Sequence, residues 1–239
     1  MKFPHTILII LLICMLAGGA QAQNITDTQI KEKILSRIKP QLRPLDDITV
    51  NVQNGVVTIT GKVAELQTKQ SILNFAKRTI GVEQIVDQIT VVPLQKQTDN
   101  QILREIRTAL QGNLSKDEIS AIKVRVENGV VTLTGTLNNS YSKQIAGLAA
   151  SLVAGVIDVK NEIVVRPKIF RTDAEILADV QDRFRKNAFV ANQKIDISVK
   201  NGIVTLNGIV DSFTQVEQAE AIARFTPGVV DVQNLLFVR

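Results

Sequence analysis

The 239-residue sequence carries 28 Lys and Arg against 23 Asp and Glu, a formal charge of +5, and is 45% hydrophobic but only 4% aromatic, with no tryptophan. Its single cysteine, Cys14, and single histidine, His5, both fall within the first 22 residues, which read as a secretory leader. Once such a leader is removed, disulfides, thiolate nucleophiles, thiolate metal sites and histidine general bases are excluded, which closes most enzyme mechanisms.

The leader signal consists of Lys2, an apolar run over residues 7–16, the breakers Gly18 and Gly19, and then Ala20-Gln21-Ala22. Cleavage after Ala22 would start the chain at Gln23 and deliver it to the periplasm. The alternative is a lipoprotein anchored through Cys14, but a lipobox wants a small residue before the cysteine and Ile13 stands there. The apolar run is also shorter than the roughly 20 residues of a spanning helix. Beyond the leader, 27 cations face 23 anions, with no run of five like charges and no basic stripe with interleaved aromatics, so nucleic acid is not an expected partner.

The rest of the chain repeats itself three times. Each copy opens on Thr-Asp with Gln or Glu three residues after the Thr: Thr26 with Gln29, Thr98 with Gln101, Thr172 with Glu175. This is the capping-box spacing, in which Thr accepts from the third helical amide and Gln or Glu reaches back to the Thr backbone. Apolar residues four apart then mark one buried helical stripe: Ile30, Ile34 and Ile38 in the first copy, with equivalents in the others.

Loops of turn formers (residues 40–47, 112–117 and 187–193) lead into alternating apolar runs joined by Asn54-Gly55, Asn128-Gly129 and Asn201-Gly202. Asn-Gly is the strongest short hairpin signal, because both turn residues must take positive φ. A two-residue turn sets Val52 against Val57, Val50 against Ile59 and Ile48 against Gly61. The other two copies give the same register, which puts the apolar positions on one face. Gly61, Gly135 and Gly208 are expected to make room for a covering helix. A second helix is predicted over 65–79, 140–154 and 212–226, capped by Gly81, Gly155 or Gly228. The last strand alternates again, with Asp87, Asn161 or Asn234 on its apolar face and in need of a hydrogen-bond partner.

The Asn-Gly turns lie 74 and 73 residues apart. Helix, strand, strand, helix, strand gives a three-stranded sheet covered on one face by two helices. The predicted fold is therefore α+β: three tandem two-layer αββαβ domains at residues 26–92, 98–166 and 172–239. Linkers 93–97 and 167–171 are short and begin with proline, so the domains are expected to pack close together.

The Thr-Asp helix start, the hairpin Asn-Gly-Val-Val-Thr-Leu-Thr-Gly of residues 128–135, and Gly155-Val156 followed by Val159-Lys160-Asn161 make each unit similar to the BON domain. The resemblance spans residues 26–239. It implies an exported envelope protein of Gram-negative type, attaching to membranes through phospholipids or protecting the envelope under osmotic stress.

The glycines of residues 55–61, followed by Lys62, do not form a phosphate loop, since their spacing is wrong, no Ser or Thr follows the Lys, and a hairpin replaces the helix start. Two departures between copies point to function. In the second copy, residues 145–154 carry no charge, and Leu148 and Leu152 stand where the first copy has Asn74 and Arg78. A helix apolar on both sides is buried on both sides, so this face is expected to pack against a neighbouring domain or subunit, with lipid contact as the alternative. In the third copy, Arg183, Arg185 and Lys186 stand beside Phe189 and Val190, a combination that suits an anionic lipid surface. The competing account is that Phe184 continues the core stripe and the cations complement the helix dipole.

The sequence thus points to a non-enzymatic protein with no cofactor or metal, binding anionic phospholipid at a membrane surface. The alternative is a periplasmic protein-interaction scaffold or holdase-like chaperone that contacts other envelope proteins. Glycan binding is disfavoured by the single tyrosine, Tyr141, and a hydrolase by the lack of any distinctive carboxylate pair.

Overall fold

The computed structural model describes residues 25–168 and 170–239; the expected leader, with Cys14 and both anchoring alternatives, lies outside the described residues. In the first copy, helix α1 (Asp27–Ile38) is followed by a short 3-10 turn, strands β1 (Asp47–Gln53) and β2 (Val56–Val63), helix α2 (Leu66–Lys77) and strand β3 (Gln84–Val91). The second copy runs α3 (Asp99–Gln111), α4 (Lys116–Ser120), β4 (Ile122–Glu127), β5 (Val130–Leu137), α5 (Ser140–Ser151), β6 (Asp158–Asn161) and β7 (Val164–Val165). The third runs α6 (Asp173–Lys186), β8 (Ile195–Lys200), β9 (Ile203–Val210), α7 (Phe213–Arg224) and β10 (Asp231–Val238).

The leading helices form because their caps are complete. Thr26, Thr98 and Thr172 each accept from the third amide, and Gln29, Gln101 and Glu175 each reach back. The hairpin registers are those set by the Asn-Gly turns, with Val50 opposite Ile59, Val124 opposite Leu133 and Ile197 opposite Leu206. The central strand of each sheet pairs antiparallel with the strand before it and parallel with the one after the second helix. Each copy keeps its own apolar cluster between the sheet and the two long helices.

Four local expectations need correction. Residues 112–117 are not a plain loop: Ser115 and Glu118 form a capping box that starts α4, and Glu118 also accepts from the Ser142 hydroxyl, tying α4 to α5. The second helices end at Lys77, Ser151 and Arg224, two or three residues early, because the chain tightens into three-residue turns such as Thr79 N–H to Ala76 C=O. The last strand of the second copy is broken between β6 and β7. Finally, Gly61, Gly135 and Gly208 do not make room for a helix. They take φ of 130°, 136° and 144°, and a Cβ there would strike the carbonyl oxygen of Asp47, Ala121 or Lys194 at the start of the neighbouring strand.

The polar residue on the last strand is satisfied in all three copies. Asn161 and Asn234 donate to the Lys143 and Val216 carbonyls of the second helix, and accept from the amide two residues along, at Ile163 and Leu236. Asp87 has no amide to donate. Lys69 supplies the missing proton donors, contacting both the Asp87 carboxylate at 2.8 Å and the Ile89 carbonyl at 2.7 Å.

The three copies close into a ring. Residues 66, 140 and 213 are equivalent through the repeat offsets, and each opens the second helix of its copy. Leu66 is buried in the second copy's cluster. Ser140 donates to the Arg224 carbonyl of the third copy. Phe213 returns to the first copy, meeting Phe75 edge-on with centroids 4.5 Å apart and lying under the Arg37 guanidinium. Glu220 sits where all three meet: it takes hydrogen bonds from Arg78 of the first copy, Gln144 of the second, and Arg224 and Asn234 of the third. The main chain also crosses, with the Val238 amide donating to the Arg78 carbonyl at 2.8 Å.

Candidate functional site

The Asn-Gly turns are structural. Asn54, Asn128 and Asn201 have φ near 50°, and Gly55, Gly129 and Gly202 have φ between 72° and 76°. Their amides point at a carboxylate on the leading helix: Asn54 and Gly55 donate to Asp27, Asn128 and Gly129 to Asp99, Asn201 and Gly202 to Asp173, at 2.7 to 3.0 Å. Sequence reasoning placed these aspartates at a helix start and missed this contact. The signal was the Asp that follows every capping Thr.

The basic cluster of the third copy is largely neutralised. Arg183 pairs with Asp179, and Arg185 and Lys186 both pair with Asp182. A hydrogen bond from Arg171 and a further one from Arg183 hold the Asp179 carboxyl below its ordinary range; those from Lys186 and Arg185 do the same for Asp182. Phe184 and Val190 are core residues, so Val190 leaves the surface group, and Phe189 alone remains out, 53% exposed.

On α5 the structure overturns packing against a neighbouring domain. Leu148 and Leu152 are 45% and 55% exposed, although Ala146, Ala149 and Ala150 beneath them are buried. The reason lies in helical spacing. Ser140 and Gln144 make the contact with α7, and Leu148 and Leu152 continue the same stripe one and two turns beyond the seam.

Two features lie outside the residues the sequence proposed as contact sites. Between the second and third copies is a cleft of about 380 Å³, walled by Tyr141, Phe225, Pro167, Pro227 and Val229, with Lys168 at its rim. The Tyr141 and Phe225 rings stack with centroids 3.9 Å apart, and Phe225 is 52% exposed. The equivalent pairs in the other seams are Gln67 with Leu152 and Thr214 with Arg78, so this aromatic pair is particular to one seam. The second feature is the linker itself, where Val164, Arg166, Lys168 and Phe170 are exposed while Val165 is buried. Among the described residues no group of three or more His, Cys, Asp and Glu is gathered as a metal site. Nor, among them, is any helix long and apolar enough to cross a membrane.

The family model for the BON domain matches residues 26–93, 98–167 and 172–239. Osmotically-inducible protein Y of Escherichia coli K12 is 28% identical over 144 residues, 57% of this chain and 70% of that protein. An uncharacterized protein in the gshII 5' region of Anaplasma centrale is 30% identical over 118 residues, 47% of this chain and 78% of that one. A solved structure of CdsD, a structural protein of the type III secretion system of Chlamydia trachomatis, covers 87% of this chain and 91% of its own at 16% identity. Its TM-score of 0.25 is too low to bear on how the copies are arranged.

Proposed function

Because this chain belongs to the BON-domain family, we propose that it is an exported, non-enzymatic protein of the cell envelope that attaches to the surface of anionic phospholipid membranes. The observation that carries this reading is the exposure of the cations Arg166 and Lys168 together with the apolar Val164 and Phe170, on a chain with no histidine or cysteine after residue 14. Attachment is peripheral: each cation near an anionic headgroup layer contributes on the order of 1 kcal/mol, and half-exposed apolar groups enter the interface. Similarity to osmotically-inducible protein Y supports a role in osmotic stress, and the leader read from the sequence supports a place in the periplasm.

The test is co-sedimentation of protein beginning at Gln23 with phosphatidylglycerol and phosphatidylcholine vesicles over a salt series. Binding to the anionic vesicles that weakens with salt is expected. Equal binding to both lipids, or none, contradicts the reading. A second reading, a protein-interaction scaffold or holdase-like chaperone, is favoured by the uncovered Leu148 and Leu152 stripe.

A further inference from the structure

We infer that the second linker and the aromatic cleft beside it form the membrane-contact site, with an anionic phospholipid bilayer as its occupant. The inference rests on the anionic-membrane reading above and assigns it to particular residues.

The chain from Val164 to Arg171 carries Arg166, Lys168 and Arg171 and no acid. Arg171 is engaged, bonded to Asp179 and to the Pro227 carbonyl. Arg166 and Lys168 are exposed and take part in no ion pair among the described residues. They alternate with the exposed Val164 and with Phe170, which at 97% is the most exposed large apolar side chain described. Two free cations and two exposed apolar groups therefore fall within seven residues of chain that begin at β7. Lys168 also stands at the rim of the cleft whose wall holds the half-exposed Phe225. Exposed cations beside exposed aromatic surface are what an interfacial contact needs.

Comparison within the chain isolates the feature. The first linker has Val92, Leu94 and one cation, Lys96, so it lacks the charge. The cations around Phe189 are neutralised by Asp179 and Asp182. Lys31, Lys33, Arg104 and Arg107 lie on helix faces interspersed with Glu32 and Glu105. Among the described residues, only the second linker joins unpaired positive charge to exposed aromatic surface, which is the charge complementarity that selects an anionic bilayer.

The experiment compares vesicle partitioning of four proteins: wild type, Arg166→Gln with Lys168→Gln, Phe170→Ser, and Arg185→Gln with Lys186→Gln. The wild type is expected to bind phosphatidylglycerol vesicles. Loss of the two linker cations is expected to weaken binding about 30-fold, from two contributions of about 1 kcal/mol each, and Phe170→Ser about tenfold from the lost apolar area. The Arg185 and Lys186 pair is expected to change it by less than about threefold. All the substituted side chains are exposed, and thermal melts that overlay the wild type establish that each variant is folded. Wild-type binding with unchanged linker variants, or equal losses in both charge pairs, overturns this site and leaves the membrane reading standing. Absence of wild-type binding overturns both.

Discussion

One carboxylate per copy does more for the fold than its position suggests. Asp99 sits in the first turn of α3, where a negative charge suits the helix dipole, and holds both amides of the Asn128-Gly129 turn at 2.8 and 2.9 Å. Hydrogen bonds to a charged group contribute about 1.5–3 kcal/mol, so Asp99→Ala should lower the urea unfolding midpoint by an amount equivalent to about 2 kcal/mol. Asp99→Glu, whose longer arm misplaces the carboxylate, should recover little of that. Glu118 gives a pH signature. Burial raises its carboxyl, but donation from Ser142 and Ser115 outweighs that and leaves it below the ordinary glutamate value. With the folded value depressed, its contribution is present above about pH 4.5 and is lost as the pH falls through the lower folded value. Glu118→Gln should therefore lose less stability than the wild type on acidification below that point, measured by thermal melts across pH.

Among the elements, α5 carries the clearest difference between copies. Its stripe begins as a contact with the third copy at Ser140 and Gln144 and ends in solvent at Leu148 and Leu152. Leu148→Lys with Leu152→Lys should leave the melting temperature nearly unchanged, since exposed substitutions stay within about 0.5 kcal/mol each. Loss of a captured protein partner in that variant, with vesicle binding intact, would favour the scaffold reading. The elements themselves were legible in the sequence wherever two signals agreed. The capping boxes of α1, α3 and α6 coincided with the onset of an apolar stripe, and Asn-Gly fixed the hairpins because register has a period of two and a slip would expose every valine. Illegible were features that depend on a neighbour. The role of Asp27, Asp99 and Asp173 needs the hairpin brought beside the helix, and the clash at Gly61 needs the carbonyl of Asp47. Charge alone left two accounts open at Arg185 and Lys186, and neither weighed what favours the structural one, Asp182 within one helical turn of both.

In the whole molecule, three similar units become one body because the first and third meet directly. Glu220 is the joint, and the repeat does not supply it: the equivalent positions are Leu73 and Gly147. It and Arg78 are both largely buried, and removing one partner of a buried pair leaves the other charge uncompensated, at a cost of about 3 kcal/mol. Calorimetry of Glu220→Leu should show the first copy melting ahead of the other two, where the wild type melts in one transition. A closed ring also fixes where the surface features face. The second linker and the Tyr141 and Phe225 cleft lie at one seam, away from the Phe213 seam that closes the ring. Because the chain contains no tryptophan, a single Phe170→Trp substitution reports on that seam alone. On adding phosphatidylglycerol vesicles its emission should shift to the blue, and phosphatidylcholine vesicles should leave it unchanged, as should either lipid for Phe189→Trp. Unshifted emission at position 170, or the same shift at both positions with both lipids, would contradict membrane attachment through this face.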